Sequence, residues 1–170
     1  MPLFNTKEEI NRYIMKQAEL VMKEAVAPVI KQKVSDKVET EVYDAYSTKN
    51  SNKKPYVYER RGASEGTGGI GDTSIMETNF DRFGNTINLK IVNMAKGQDD
   101  SMFIADLIEG GQGTNGKEYK YTSTRETKDP SYLKARPFQQ EAANELDQTK
   151  EHITEFLKGM RDLGIDIRKM

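Results

Sequence analysis

Cysteine and tryptophan are absent from this chain of 170 residues, and histidine occurs once. Without thiols the chain can form no disulfide, thiolate metal site or cysteine nucleophile. A zinc site or a catalytic triad at His152 would need partners, and neither a second histidine nor a cysteine exists to supply them. No apolar run approaches the roughly 18 residues that a membrane span requires. The start at Met1–Asn5 lacks the regions of a signal peptide, so we expect synthesis in the cytoplasm and no membrane partner.

An excess of either charge is also lacking. The 26 basic and 27 acidic side chains leave a net charge of −1, so nothing in the total draws the whole chain to nucleic acid or to an anionic membrane. Hydrophobic residues make up 35% and charged residues 31%. This balance predicts a single domain over residues 1–170, with a thin core and a large solvated or partner-facing surface.

The clearest local signal is a long amphipathic helix over about residues 6–46. Thr6 and Glu9 have the spacing of a capping box. Apolar residues then recur at steps of three and four, as on one helical face, up to Val42. Pro28 lacks a backbone donor and clashes with the preceding turn, which predicts a kink or break near Ala25–Ala27.

The rest of the chain predicts a small antiparallel sheet and further helices. Loops are expected at about 47–74 and 110–118, strands at 75–82 and 86–94 around a turn with Gly84, and a short helix at 101–109. Tyr119–Thr124 has a weak strand composition. A terminal amphipathic helix is expected to begin at Pro137 and to end at Gly164. The predicted class is α+β, with a long kinked N-terminal helix, a small antiparallel sheet, a short middle helix and a C-terminal amphipathic helix.

Two glycine-rich segments match nucleotide-binding motifs by spacing alone. Gly66–Gly71 has the dinucleotide spacing, but a polar loop precedes it and a strand follows it. Gly111–Lys117 has the P-loop spacing, but Glu118 stands where Ser or Thr must hold the metal. Both are better explained as flexible connecting loops. A nucleotide-binding enzyme remains an alternative function, and a bacterial cytosolic adaptor protein is another.

Three stretches occur together in an order that resembles the head–tail joining, tail-completion or neck proteins of tailed bacteriophages. They are Glu59-Arg60-Arg61-Gly62, Ile104–Gly111 and Ala135-Arg136-Pro137-Phe138, and the chain's closing stretch from 156 to 165 is also similar to that family's. The resemblance covers about residues 40–165. Here the segment from Ala63 to Gly71 is longer and more polar than the glycine–leucine turn usual in that family.

The resemblance implies a small α+β virion protein that forms a ring around a DNA channel, without enzymatic activity, cofactor or metal. The implied partners are other copies of the chain, portal or adaptor proteins and tail-tube proteins. The locally basic segment 49–61 adds the possibility of non-specific contact with DNA in the channel. We take Arg60, Arg61, Arg136, Pro137 and Phe138 as candidate interface or junction residues. For Phe138, burial in the core is an equally open alternative.

Overall fold

A computed structural model of the chain describes residues 3–43, 69–95, 104–110 and 135–167. The described elements are a long N-terminal helix, a two-stranded antiparallel sheet, a short middle helix and two C-terminal helices. The predicted α+β class is therefore confirmed.

Helix α1 runs from Lys7 to Tyr43 without a break. Its start is the predicted capping box: Glu9 N–H donates to Thr6 Oγ1 at 3.2 Å, and the Glu9 carboxylate accepts from Thr6 N–H. α-Helical geometry holds at Lys7–Val21 and Ala27–Lys37, and π-helical turns occupy Met22–Val26 and Val38–Tyr43.

The sequence predicted a kink or a break near Ala25–Ala27. The helix does not break, and a π-helical turn at Met22–Val26 lies at this place. Ala27 N–H donates to the carbonyl of Met22, five residues back, instead of four. A π turn of this kind shifts the hydrogen-bond register by one residue. The helix accommodates the missing donor of Pro28 next to this turn and continues.

The sheet is a hairpin of β1 (Met76–Phe83) and β2 (Thr86–Asn93). A single helical turn of the 3-10 type, Thr73–Ile75, precedes β1 within the region where only a loop was expected. Gly84 has φ of 57° at the tip, as the predicted glycine turn requires. Strand alternation gives one partly buried face and one exposed face, and Met76 is the buried end of the hairpin.

Helix α2 (Ile104–Gly110) lies in the region of the predicted middle helix. Ala105 is fully buried, and Ile108 packs against the same cluster of buried side chains. Ala105 and Ile108 therefore lie on the side of this helix that faces the core.

The prediction of a single C-terminal helix, made from the periodicity, is wrong. The chain forms α3 (Phe138–Thr149) and α4 (Glu151–Asp162), separated by Lys150 in the left-handed conformation at φ 55° and ψ 22°. Lys150 N–H donates to the carbonyl of Leu146, and its own carbonyl accepts from Thr154 N–H. Because lysine is not a residue that favours this conformation, nothing in the local sequence signals the division.

Helices α3 and α4 together lie antiparallel to α1. Phe138, at the start of α3, packs in one cluster with Val42 near the end of α1. Towards the other end of α1, Gly159 of α4 lies so close to Val21 that an added Cβ would be 2.6 Å from Val21 Cγ1. The absence of a side chain at Gly159 therefore permits the close approach of α4 to α1.

An ion-pair cluster fixes the middle of this helix pairing. Glu145 on α3 accepts from Lys33 Nζ at 2.7 Å and from Lys37 Nζ at 2.8 Å, and Lys33 also contacts Glu151 at 3.3 Å. The hydrogen bonds from Lys33 and then Lys37 lower the pKa of Glu145 to about 2. The hydrogen bond to Glu145 raises the pKa of each lysine. The cluster thus links α1 to both C-terminal helices by charge.

Residues 69–71, at the end of the glycine-rich segment, are packed against α1. Ile70 is buried, and the carbonyl of Gly71 accepts from Ser35 Oγ at 2.6 Å. A Cβ at Gly69 would lie 3.1 Å from the hydroxyl of Tyr43. The interpretation of the whole segment as a flexible connector is therefore wrong for these three residues. Residues 66–68 and the second glycine segment, 111–117, lie outside the described residues, as do Tyr119–Thr124.

Candidate functional site

The candidate site is the junction at which α3 begins. Of the five residues proposed from the sequence, Arg136, Pro137 and Phe138 lie here, and Arg60 and Arg61 lie outside the described residues. Pro137 directly precedes the first helical residue, and its carbonyl accepts from Glu141 N–H at 2.8 Å. It occupies the capping position of α3, one residue before the first-turn position expected.

Arg136 connects three helices through backbone and side-chain hydrogen bonds. Its backbone N–H donates to the carbonyl of Ile108 in α2 at 2.9 Å. Its guanidinium Nη1 donates to the carbonyl of Val42 in α1 at 2.7 Å. Arg136 thus joins the last described turns of α1 and α2 to the start of α3.

Glu109 is a junction residue that the sequence reasoning missed. Its carboxylate accepts from the backbone N–H groups of Gln139 at 2.8 Å and Gln140 at 3.0 Å. A carboxylate at this place satisfies two unpaired donors and matches the positive end of the helix dipole. The cap comes from a residue some 30 positions away in the chain, so no local pattern such as a capping box indicates it.

Phe138 is fully buried, which decides between the two roles left open for it. It packs in the cluster with Val38, Val42, Ile70, Ala95 and Ala105. Its role is therefore to hold α3 on the core, and its ring offers no surface to a partner in this structure. Whether Arg136 and Pro137 contact a partner stays a prediction, as does an interface role for Arg60 and Arg61.

The same cluster marks the end of the molecule to which residues 44–68, 96–103 and 111–134 connect. We call this the segment end. The chain leaves at Tyr43, Ala95 and Gly110, and it returns at Gly69, Ile104 and Ala135. Each departure and each return lies in or next to a residue of the cluster or of the Arg136 junction. The intervening segments 44–68, 96–103 and 111–134 are thus all attached at one end of the scaffold.

Charge is divided unequally between the scaffold and the remaining residues. The described residues contain 13 of the 26 basic and 19 of the 27 acidic side chains, a net charge of −6. The remaining residues contain 13 basic and 8 acidic side chains, a net charge of +5, which restores the total of −1. The three segments attached at the segment end carry 11 of these basic and all 8 of these acidic side chains. A near-neutral total therefore combines an acidic scaffold with segments that are together net basic, although 96–103 alone carries one basic and two acidic side chains.

Among residues 3–43, 69–95, 104–110 and 135–167, no cluster of His, Asp and Glu has the arrangement of a metal site. His152 lies on α4, and its Nδ1 has no hydrogen-bond partner among the described residues. None of the helices in these ranges is long and apolar enough to cross a membrane.

Comparison with models of known protein families gives a match that covers most of the chain. The model of the family named YomN, a name of the type given to proteins of the SPβ prophage, matches residues 6–162. Neither a curated protein nor a solved structure matches the chain. The matched range extends from the start of α1 to the end of α4 and includes the Arg136 junction.

Proposed function

Because the chain belongs to the YomN family, a family of phage-associated proteins, we propose that it is a structural protein of the virion at the head–tail junction. In this proposal it completes the tail or forms the neck, and copies of the chain assemble as a ring through protein–protein contacts. Its partners are portal or adaptor proteins on one side and tail-tube proteins on the other. It acts without a cofactor and without catalysis.

The observation that carries the proposal is the arrangement of the segment end. Three segments are attached to one buried cluster, and Arg136 and Glu109 tie the three helices there to one another. Recognition residues commonly lie on connecting segments that a rigid scaffold positions. A scaffold to which three segments connect at one end is suited to bringing residues of those segments to the same partner.

The charge division bears on the non-specific contact with DNA that a ring around a DNA channel would make. The segments at this end are net basic, while the scaffold is net acidic. An acidic scaffold repels DNA phosphates, so any non-specific DNA contact would be made by the basic segments. Arg60 and Arg61 belong to the most basic of these stretches, 49–61.

Mass measurement under native conditions tests ring assembly directly. The purified chain is measured alone and with its portal and tail-tube proteins, and negative-stain microscopy shows the shape of any assembly. We expect a closed oligomer in at least one of these mixtures. A chain that stays monomeric and binds neither partner in all of them contradicts the proposal.

A charge-reversal pair tests the contribution of the segment end. Arg60→Glu with Arg61→Glu is expected to weaken binding to portal, tail-tube protein or duplex DNA. Arg12→Glu with Lys16→Glu is the matched control, because both residues are exposed near the start of α1, roughly 40–45 Å along the helix from the segment end. Equal loss of binding in the two variants would mean that the segment end has no special role.

A further inference from the structure

The hairpin has two open edges in the part of the chain that the structure describes. The sheet there consists of β1 and β2 alone. Ile75 and Met94 are the pair next to Met76 and Asn93 in this register. Met94 N–H donates a hydrogen bond to the Ile75 carbonyl at 3.2 Å. In an antiparallel pair the bonded positions alternate, so odd-numbered residues of β1 bond inward to even-numbered residues of β2.

The remaining backbone groups therefore point away from the hairpin. On β1 these belong to Thr78, Phe80 and Arg82, and on β2 they belong to Ile87, Leu89 and Ile91. No strand among the described residues pairs with either edge, so each edge offers a row of donors and acceptors that another strand can complete. The question is which strand these edges accept.

Charge on the exposed face of the hairpin distinguishes the two edges. On this face β1 carries Glu77 and Asp81 with no basic residue, and β2 carries Lys90 with no acidic residue. All three side chains are exposed, and none takes part in the ion pairs found among the described residues. The opposite face carries apolar residues on both strands, with Phe80 opposite Leu89.

These charges favour one mode of self-pairing over the others. Two β1 strands pairing antiparallel about Asn79 would place Glu77 of each copy opposite Asp81 of the other. Two β2 strands paired about position 90 would bring the two copies of Lys90 together. Like charges directly opposite each other destabilise a sheet, whereas opposite charges in direct or diagonal positions stabilise it.

We propose that β1 of one copy pairs antiparallel with β2 of the next copy. This inference rests on the ring assembly proposed above and names the surface that forms it. In the unshifted register Lys90 faces Asn79 of the neighbour, with Glu77 and Asp81 at the diagonal positions. A shift of two residues in either direction places Lys90 directly opposite one of the two acids. Every such register thus joins the basic edge to the acidic edge.

The pairing also accounts for the charge that the hairpin leaves unbalanced. Within one chain Lys90 is already diagonal to both acids, because Asn79 pairs with Lys90. Two acids against one base leave the exposed face with a net negative charge. The neighbour's Lys90 on the other side of β1 compensates for it. Because the contact joins unlike edges, it is heterologous, and it produces a ring when the rotation between copies closes.

A charge-exchange experiment tests the edge pairing. Lys90→Glu makes both edges acidic, and Glu77→Lys with Asp81→Lys makes both edges basic. We expect the oligomer of each variant alone to be weakened. The concentration at which it dissociates should be roughly tenfold or more higher than for the wild type. An equal mixture of the two is expected to restore an oligomer in which the variants alternate. Native mass spectrometry detects the alternation once one variant is isotopically labelled.

The controls separate this inference from the function on which it rests. Lys23→Glu on α1 has the same charge change at an exposed residue, and it should assemble like the wild type. Circular dichroism of every variant verifies that the hairpin and helices persist. If the wild type forms oligomers and the variants assemble equally well, the edge pairing is wrong and the proposal of a ring stands. A wild-type chain that stays monomeric, alone and with its partners, overturns both.

Discussion

Gly159 offers a sharp test of the antiparallel packing of α4 against α1. An alanine at this position would place its Cβ 2.6 Å from Val21 Cγ1 and 3.2 Å from Val21 Cγ2, both inside the usual contact distance of about 3.5 Å. Val21 is 5% exposed and branched at Cβ, so its side chain has little freedom to rotate away.

Two opposing effects decide the result of Gly159→Ala. Replacing glycine by alanine inside a helix contributes about 1 kcal/mol of stability. Overpacking a close contact costs about 1–3 kcal/mol, and a gap this short with a stiff neighbour belongs in the upper half of that range. We therefore expect Gly159→Ala to lower the free energy of unfolding by about 1 kcal/mol or more.

The informative control is the same substitution in a Val21→Ala background. Val21→Ala removes two buried methyl groups and costs roughly 1–3 kcal/mol by itself. It also removes both Cγ atoms that the new Cβ would meet, so Gly159→Ala should then be stabilising by up to about 1 kcal/mol. The sign of the effect thus reverses, with a coupling of about 2 kcal/mol between neighbouring sites.

Urea unfolding followed by far-UV circular dichroism measures all four chains of this cycle. The midpoints are comparable if the dependence of the unfolding free energy on urea concentration is the same for each. A Gly159→Ala chain as stable as the wild type, or the same effect in both backgrounds, would show that α4 does not pack on Val21. The antiparallel arrangement of the C-terminal helices would then need revision.

Three further predictions concern the junction and the helices beside it. Glu109→Ala removes the acceptor of two backbone N–H groups and should cost about 1–2 kcal/mol in urea unfolding, whereas Glu109→Gln, which keeps one oxygen, should cost less. Glu145 has its folded pKa lowered from 4.5 to about 2, so its contribution is complete above pH 4.5 and is lost as pH falls towards 2. The loss of stability between about pH 6 and about pH 3 should therefore be smaller in Glu145→Gln, and an unchanged acid dependence would contradict the role of the ion-pair cluster. Lys150→Gly should change stability by less than about 1 kcal/mol, because relief of the left-handed strain opposes the greater freedom of an unfolded glycine. Lys150→Val, by contrast, should lower the melting temperature clearly, since a β-branched residue fits that conformation poorly.

Local patterns in the sequence predicted most of the elements of the fold. Three predicted elements agree with the structure: the capping box at Thr6 and Glu9, the hairpin around Gly84 and the short middle helix. Each depends on residues within a few positions of one another, which is the range over which backbone geometry and side-chain spacing act. The position of Phe138 in the core was one of two roles that the sequence left open.

The errors and omissions in the prediction have different causes. A broken helix was one of the two outcomes predicted near Pro28, but the helix continues through the π turn at Met22–Val26. Lys150 divides the C-terminal helix although no glycine or proline marks the place. The Glu109 cap was missed because its partners lie about 30 residues away, and only the tertiary fold brings them together.

The amino-acid sequence by itself determined which stretches become helix and strand, because the apolar repeat and the capping and turn residues act within one element. It also determined the charge of each stretch. Only the tertiary structure decided that three separate segments begin and end around one buried cluster, and that Glu109 and Arg136 meet the same helix start. Those relations join residues far apart in the chain, and such contacts form only when the apolar faces of α1, α2 and α3 are buried together.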